Sequence, residues 1–164
     1  MDKNSYYMRP LEEGDARAIL QWRYESPYDF YNPPADNEQN YYVMQFLDPD
    51  LMFHAVVDTS DNLIGFCSYG VDGQVFGGNY KTQALDIGLG MRPDLTGQGR
   101  GHAFFRTILQ YGQTLPSTRF RLTVASFNTR AIWLYRRFGF EEVEHFIDAF
   151  FAVPYTVMIR EFLV

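Results

Sequence analysis

Gly97-Gln98-Gly99-Arg100-Gly101 is the stretch whose reading decides the fold. Before it come a strand-like run, Ala84-Leu85-Asp86-Ile87-Gly88-Leu89-Gly90-Met91, and a short turn, Arg92-Pro93-Asp94-Leu95-Thr96. After it comes a helix-like run from His102 to Tyr111. Glycines between a strand and a helix let backbone N–H groups close on an anion, and the helix N-terminus adds its partial positive charge. The stretch therefore points to a phosphate or pyrophosphate grip. A dinucleotide fingerprint needs a third glycine, and His102 stands there; it also needs an acid about 20 positions on, where the chain reads Arg119-Phe120-Arg121. A P-loop needs Gly-Lys-Ser/Thr, and no lysine is near. A glycine-rich turn without a ligand is the remaining alternative, because a lone glycine motif is weak.

A second segment narrows the choice: Asn128-Thr129-Arg130-Ala131-Ile132-Trp133-Leu134-Tyr135-Arg136-Arg137-Phe138-Gly139-Phe140. Asn128 suits a helix N-cap, since its side-chain oxygen accepts an orphan N–H of the first turn. Gly139 suits the left-handed position that ends a helix. Ala131, Tyr135 and Phe138 share one face by three-four spacing. The helix is thus short, and it carries a phenol on its apolar face.

The two segments together resemble the GNAT superfamily of acyl-CoA-dependent N-acyltransferases. The first matches that family's pyrophosphate loop, Q/R-x-x-G-x-G/A, at Thr96, Gly99 and Gly101. Thr96 stands where the family has Arg or Gln, with Gln98 and Arg100 as possible replacements. The second matches N-x-x-A-x-x-L-Y-x-x-x-G-F at Asn128, Ala131, Leu134, Tyr135, Gly139 and Phe140. The match covers Ala84 to Phe140 by residues and the remainder by element order. It implies an α/β (α+β) GNAT fold: a central mixed, mostly antiparallel sheet of seven strands flanked by four helices, splayed like a V between the fourth and fifth strands. It also implies one domain over residues 1–164, acetyl-CoA as co-substrate, and acetyl transfer to a primary amine in a ternary complex. A non-catalytic acyl-CoA-binding module on the same fold is the alternative.

Patterning places the other elements. Tyr6 to Arg9 reads as a strand and Asp15 to Tyr24 as a helix, with Ala16, Ile19 and Leu20 on one face. Pro27, Pro33 and Pro34 make Ser26 to Pro34 a loop. Asn37 to Phe46 reads as the second helix. Phe53 to Val57 and Leu63 to Tyr69 flank a turn, Asp58-Thr59-Ser60-Asp61-Asn62, and read as a hairpin. Gly99 to Gln113 and Thr129 to Phe138 are the third and fourth helices. Phe120 to Ala125, Glu142 to Phe146 and Tyr155 to Arg160 are the last strands.

The resemblance assigns roles to residues. Thr96, Gly97, Gln98, Gly99, Arg100, Gly101 and His102 would hold the pyrophosphate, with Asn128 and Tyr135 also against the co-substrate. A backbone N–H near Met91 would face the thioester oxygen. Gly88 and Gly90 are consistent with a bulge in the fourth strand. Tyr135 would protonate the departing thiolate, because a phenol with a pKa near about 10 is a suitable general acid. For the base, Asp86 on the fourth strand comes first, and Glu25 and Asp29 follow. An aromatic and acidic loop containing Trp22, Tyr24, Glu25, Tyr28 and Asp29 would border the acceptor and hold a cationic amine.

Composition sets the limits. The chain has 164 residues, 46% of them hydrophobic, which fits one domain with a packed core. Its formal net charge is −6 and its two lysines are Lys3 and Lys81, so no basic face for nucleic acid is expected. No apolar run reaches membrane-spanning length, and Met1-Asp2-Lys3-Asn4-Ser5 carries no secretory pattern. Cys67 is the single cysteine, which suits the cytoplasm. His54, His102 and His145 lack metal-ligand spacing, so no metal is expected. A homodimer is possible by family habit.

Overall fold

A computed structural model describes residues 4–162. The extreme N-terminus, Met1 to Lys3, read above for targeting signals, lies outside them. Seven strands and four α-helices are present among the described residues. In chain order they are β1 (Tyr7–Pro10), α1 (Glu13–Ile19), α2 (Gln39–Leu47), β2 (His54–Val57), β3 (Leu63–Tyr69), β4 (Leu85–Met91), α3 (Gly101–Gly112), β5 (Arg119–Ala125), α4 (Thr129–Arg137), β6 (Glu141–Ile147) and β7 (Pro154–Glu161). This is the element order expected from the sequence.

The strands hydrogen-bond in the order β1-β2-β3-β4-β5-β7-β6. β1 with β2, β2 with β3, β5 with β7 and β6 with β7 are antiparallel. β3 and β4 are antiparallel too, because Arg92 N–H bonds Ile64 O and Gly70 N–H bonds Asp86 O, both at 2.8 Å. β4 and β5 are parallel, with Leu85 opposite Phe120 and Asp86 opposite Arg121. That register lies at the start of β4, whereas β5 pairs with β7 along its whole length, from Arg119↔Glu161 to Ala125↔Tyr155. The sheet is thus mixed and mostly antiparallel, as expected.

The chain forms two compact units, Met1–Cys67 with Leu89–Gln110, and Ser68–Gly88 with Tyr111–Val164. In the first unit, Leu11, Ala16, Ile19, Leu20, Trp22 and Val43 form a core, with Tyr24, Tyr42, Phe46, Phe53 and Phe66 packed against it. Helix α3 adds Ala103, Phe104, Phe105, Ile108 and Leu109, all buried at the spacing of one helical face. Burying each large side chain of this kind contributes about 1.5–3 kcal/mol. In the second unit, Phe120, Leu122 and Val124 of β5 and Val157 and Met158 of β7 are buried beside Phe140.

Helix α1 is shorter than its apolar spacing predicts. It ends at Ile19, and Gln21 and Trp22 continue as tight turns through bonds to Ala18 O and Ile19 O. This break turns Trp22 into the core. The expected loop at 26–34 contains one turn of 3-10 helix, Tyr28–Tyr31, and a cis Ser26–Pro27 peptide.

Candidate active site

The glycine stretch forms the loop that the sequence predicted. Pro93–Leu95 make one 3-10 turn after β4. The Thr96 hydroxyl donates to Pro93 O at 2.7 Å, and the Gln98 amide donates to Asp94 O at 2.6 Å. Both side chains therefore shape the loop from within. Arg100 is the cation at the helix start, where its guanidinium donates to the Tyr6 hydroxyl at 3.4 Å. Gly97 and Gly99 have φ of 71° and 75°, the left-handed region that favours glycine. A β-carbon on Gly99 would meet nothing within 4 Å, so the loop surface there is open. Helix α3 begins at Gly101, and the donor four residues beyond Arg100 O is Phe104 N. The amides ahead of Phe104 are those a helix cannot satisfy itself, which is what an anion uses. His102 is exposed on the same turn. These residues fit a pyrophosphate.

Helix α4 is punctuated as its sequence predicts. The Asn128 side chain accepts from Ala131 N at 3.2 Å, which caps the first turn. The cap is thus a structural duty of the residue expected near the co-substrate. Gly139 takes φ 87° just past the helix, and its N–H bonds Arg136 O. Tyr135 lies on the buried face with 7% of its surface exposed, its ring 6.3 Å from that of Phe140.

Asp86 differs from its expected surroundings. It is 3% exposed and faces Arg121, also 3% exposed, across the β4–β5 pair. Arg121 Nε and Nη2 donate to the two carboxylate oxygens at 2.6 and 2.7 Å. Gln74 Nε2 donates to one of them at 2.9 Å. Arg121 Nη1 bonds Thr82 O at 2.7 Å, and its guanidinium carbon lies 4.8 Å from the centre of the Tyr80 ring. A carboxylate clamped by a two-pronged guanidinium and an amide holds strands together and offers little to an incoming ammonium. The geometry therefore corrects the expectation that Asp86 serves as the base on β4 and makes it a structural ion pair. Sequence reading missed Arg121 and Gln74 because they lie 35 and 12 residues away.

The acceptor-side residues divide. Trp22 is a correction: it is 9% exposed and packs in the core, so it is not part of an amine-facing wall. Glu25 and Asp29 are exposed, and Tyr28 is half-buried. Their segment is held by Tyr24 N donating to Asn32 Oδ1 at 2.6 Å, Tyr28 N to Glu25 O at 2.8 Å and Asn32 N to Asp29 O at 3.0 Å. Tyr24 also reaches β4, where its hydroxyl donates to Met91 O at 2.7 Å. Burial pushes the Tyr24 phenol up to about 12, so it remains a donor through the physiological range. The residue whose N–H is expected near the thioester oxygen is thereby tied, through its carbonyl, to the loop expected near the acceptor. No sequence signal announced this bond between residues 67 positions apart.

Gly88 and Gly90 have a steric reason to be glycine. A β-carbon would lie 2.6 Å from Ser68 Oγ at the first position and 2.6 Å from the Phe66 ring at the second. Close approach of β3 to β4 accounts for both.

Residues 16–140 match the acetyltransferase (GNAT) family, and the chain belongs to it. Relatives with an assigned substrate are similar over most of their length. A spermidine N(1)-acetyltransferase from Vibrio cholerae serotype O1 is 26% identical over 154 residues, which span 88% of this chain and 83% of that protein. A chimera of the Vibrio cholerae spermidine N-acetyltransferase SpeG and hSSAT superposes with a TM-score of 0.71 at 25% identity, covering 95% of this chain and 94% of that one. A dodecameric spermidine N-acetyltransferase structure from Vibrio cholerae shares the fold, with a TM-score of 0.67 at 24% identity and coverage of 95% and 93%. The protein is an N-acetyltransferase that moves an acetyl group from acetyl-CoA to an amine. The non-catalytic alternative is not favoured, since these relatives are enzymes. No helix among the described residues is long and apolar enough to cross a membrane.

Proposed function

We propose that this chain acts as one GNAT domain that acetylates a polyamine of the spermidine class. The observation that carries the substrate is the segment from Glu25 to Glu38. It exposes Glu25, Asp29, Asp36 and Glu38 beside Tyr28 and Tyr31. A chain of protonated amines matches such a run of carboxylates and rings, which attract cations by charge and by their π-faces. The spermidine acetyltransferases similar to this chain support the same class. Thiol release from acetyl-CoA, measured against a panel of amines, tests it. Spermidine and related polyamines should give the highest kcat/KM, and raised salt should increase KM for them more than for a monoamine. Preference for a neutral peptide N-terminus, with no salt effect, contradicts the reading.

The loop and helix geometry supports the following division of labour. The N–H groups from Gly97 to Ala103 receive the pyrophosphate, with Arg100 as the adjacent cation. The N–H of Met91, the residue whose carbonyl Tyr24 holds, faces the thioester oxygen, where negative charge develops as the amine attacks. Tyr135 gives its proton to the thiolate as the carbon–sulfur bond breaks. Transfer is direct, from thioester to amine in one ternary complex.

The cofactor half has its own test. Gly99→Val forces a branched residue into φ 75° and sets methyl groups in the open space above the loop. CoA affinity by calorimetry should fall at least about tenfold, an effect of about 1.4 kcal/mol. The strain should cost roughly 1–2 kcal/mol of stability. Unchanged affinity in the folded variant removes the loop from the site.

A further inference from the structure

The last residue of β4 has a phenol where a strand neighbour would stand. Arg92 N–H bonds Ile64 O at 2.8 Å, and a β-carbon on Gly65 would collide with Gly90 O. Gly90 and Arg92 therefore turn their backbone groups toward β3. Successive residues of a strand direct these groups to opposite edges. Met91 thus turns both its N–H and its C=O to the other edge. The register of β4 with β5 lies earlier in the strand, at Leu85 and Asp86. At Met91 the carbonyl accepts instead from the Tyr24 hydroxyl, at 2.7 Å.

Met91 C=O and Arg92 N–H belong to one planar peptide unit. That plane is held at both edges, by Tyr24 on one side and Ile64 on the other. The N–H of Met91 is separated from it by two soft dihedrals only, so a rotation of the held plane would carry through to that donor. Tyr24 is itself well fixed. Its ring packs against the core that contains Ile19, Leu20 and Trp22. Its own N–H donates to Asn32 Oδ1 at 2.6 Å, and Asn32 N–H bonds Asp29 O at 3.0 Å. The segment from Glu25 to Asn32 is thereby closed on the residue that grips the end of β4.

We propose that Tyr24 is a positioning residue for the acetyl transfer. Its hydroxyl takes the place of a strand neighbour at Met91 and keeps the N–H of that residue aimed at the thioester oxygen. Through Asn32 it also ties the loop that receives the amine to the same strand end. The inference rests on the reading of Met91 as the oxyanion donor given above. Thioester and acceptor are then both aligned on one residue, which serves the geometry of attack. The co-substrate is gripped elsewhere, at Gly97 to Gly101, so Tyr24 acts on turnover and not on CoA binding.

Tyr24→Phe tests this, because it keeps the ring in the core and removes only the hydroxyl. With one confirmed polyamine, kcat should fall between about tenfold and about 10²-fold, the effect of misplacing a reacting group by about 1 Å. CoA affinity by calorimetry should match the wild type. The loss should be equal at every pH, since no proton passes through Tyr24. A second readout needs no turnover. Acetyl-CoA with a heavy-carbon label at its carbonyl is bound without amine, and infrared difference spectra report the thioester stretch. The wild type should lower that frequency below its value in solution, and Tyr24→Phe should return it toward that value. Wild-type kcat together with an unmoved band in Tyr24→Phe overturns the role. So does a fall in CoA affinity as large as the fall in kcat, which makes Tyr24 a packing residue. If the wild-type band itself sits at the solution frequency, the Met91 reading fails first, and this one falls with it.

Discussion

Tyr135→Phe should lower kcat by about 10²–10⁴, the range of a lost general acid, while leaving CoA affinity and melting temperature near wild type. The aromatic ring stays, so packing on the buried face of α4 and against Phe140 is preserved. What disappears is one proton. A thiol has a pKa near about 8.5, so below that value a leaving thiolate gains from being protonated as it departs. Above it the thiolate leaves unaided. The deficit should therefore be largest near neutral pH and smaller in alkali. Stopped or continuous thiol-release assays across this range provide the check. Full activity at every pH would make Tyr135 a core aromatic and α4 a packing helix only.

The second large effect concerns stability. Arg121→Met removes the guanidinium that meets both oxygens of Asp86 and leaves a carboxylate 3% exposed without its countercharge. Breaking a buried pair from one side costs about 3–5 kcal/mol. For a chain of this length that corresponds to a fall of roughly 6–20 °C in melting temperature. Adding Asp86→Leu to Arg121→Met removes the stranded charge, and the double variant should regain much of the loss. Urea unfolding of the two single variants and the double variant measures the coupling. Additive effects would mean that the pair is not a unit. Activity lost by Asp86→Asn should likewise follow folded protein, with no change in the shape of the pH profile.

Local signals in the sequence carried most of the fold. Asn128 and Gly139 marked the two ends of α4, and the structure shows the cap on Ala131 and the positive φ that those residue types serve. Asp58 to Asn62 marked the β2–β3 turn, where Asp58 N bonds Asn62 O at 3.1 Å. The end of α1 was not legible. Residues 20–24, Leu-Gln-Trp-Arg-Tyr, continue the helical spacing without glycine or proline, so nothing local shows that Trp22 leaves the helix for the core. The elements of the proposed site were legible where they sit in a local motif, at the Gly97 to Gly101 loop and on the helix that carries Tyr135. It was not legible where long-range pairing decides. Asp86 read as a candidate base, and only the fold stands Arg121 opposite it. Tyr24 read as an acceptor-wall ring until its hydroxyl met Met91.

The most direct test of acetyl transfer to a polyamine is to follow the acetyl carbon itself. The full chain is incubated with acetyl-CoA labelled in the acetyl group and with spermidine, and the products are resolved by mass spectrometry while free thiol is counted. One labelled acetamide on a spermidine nitrogen for each CoA thiol is the expected result, with no label left on the protein. Label recovered as acetate or retained on the chain, or bound acetyl-CoA that no polyamine consumes, would contradict it.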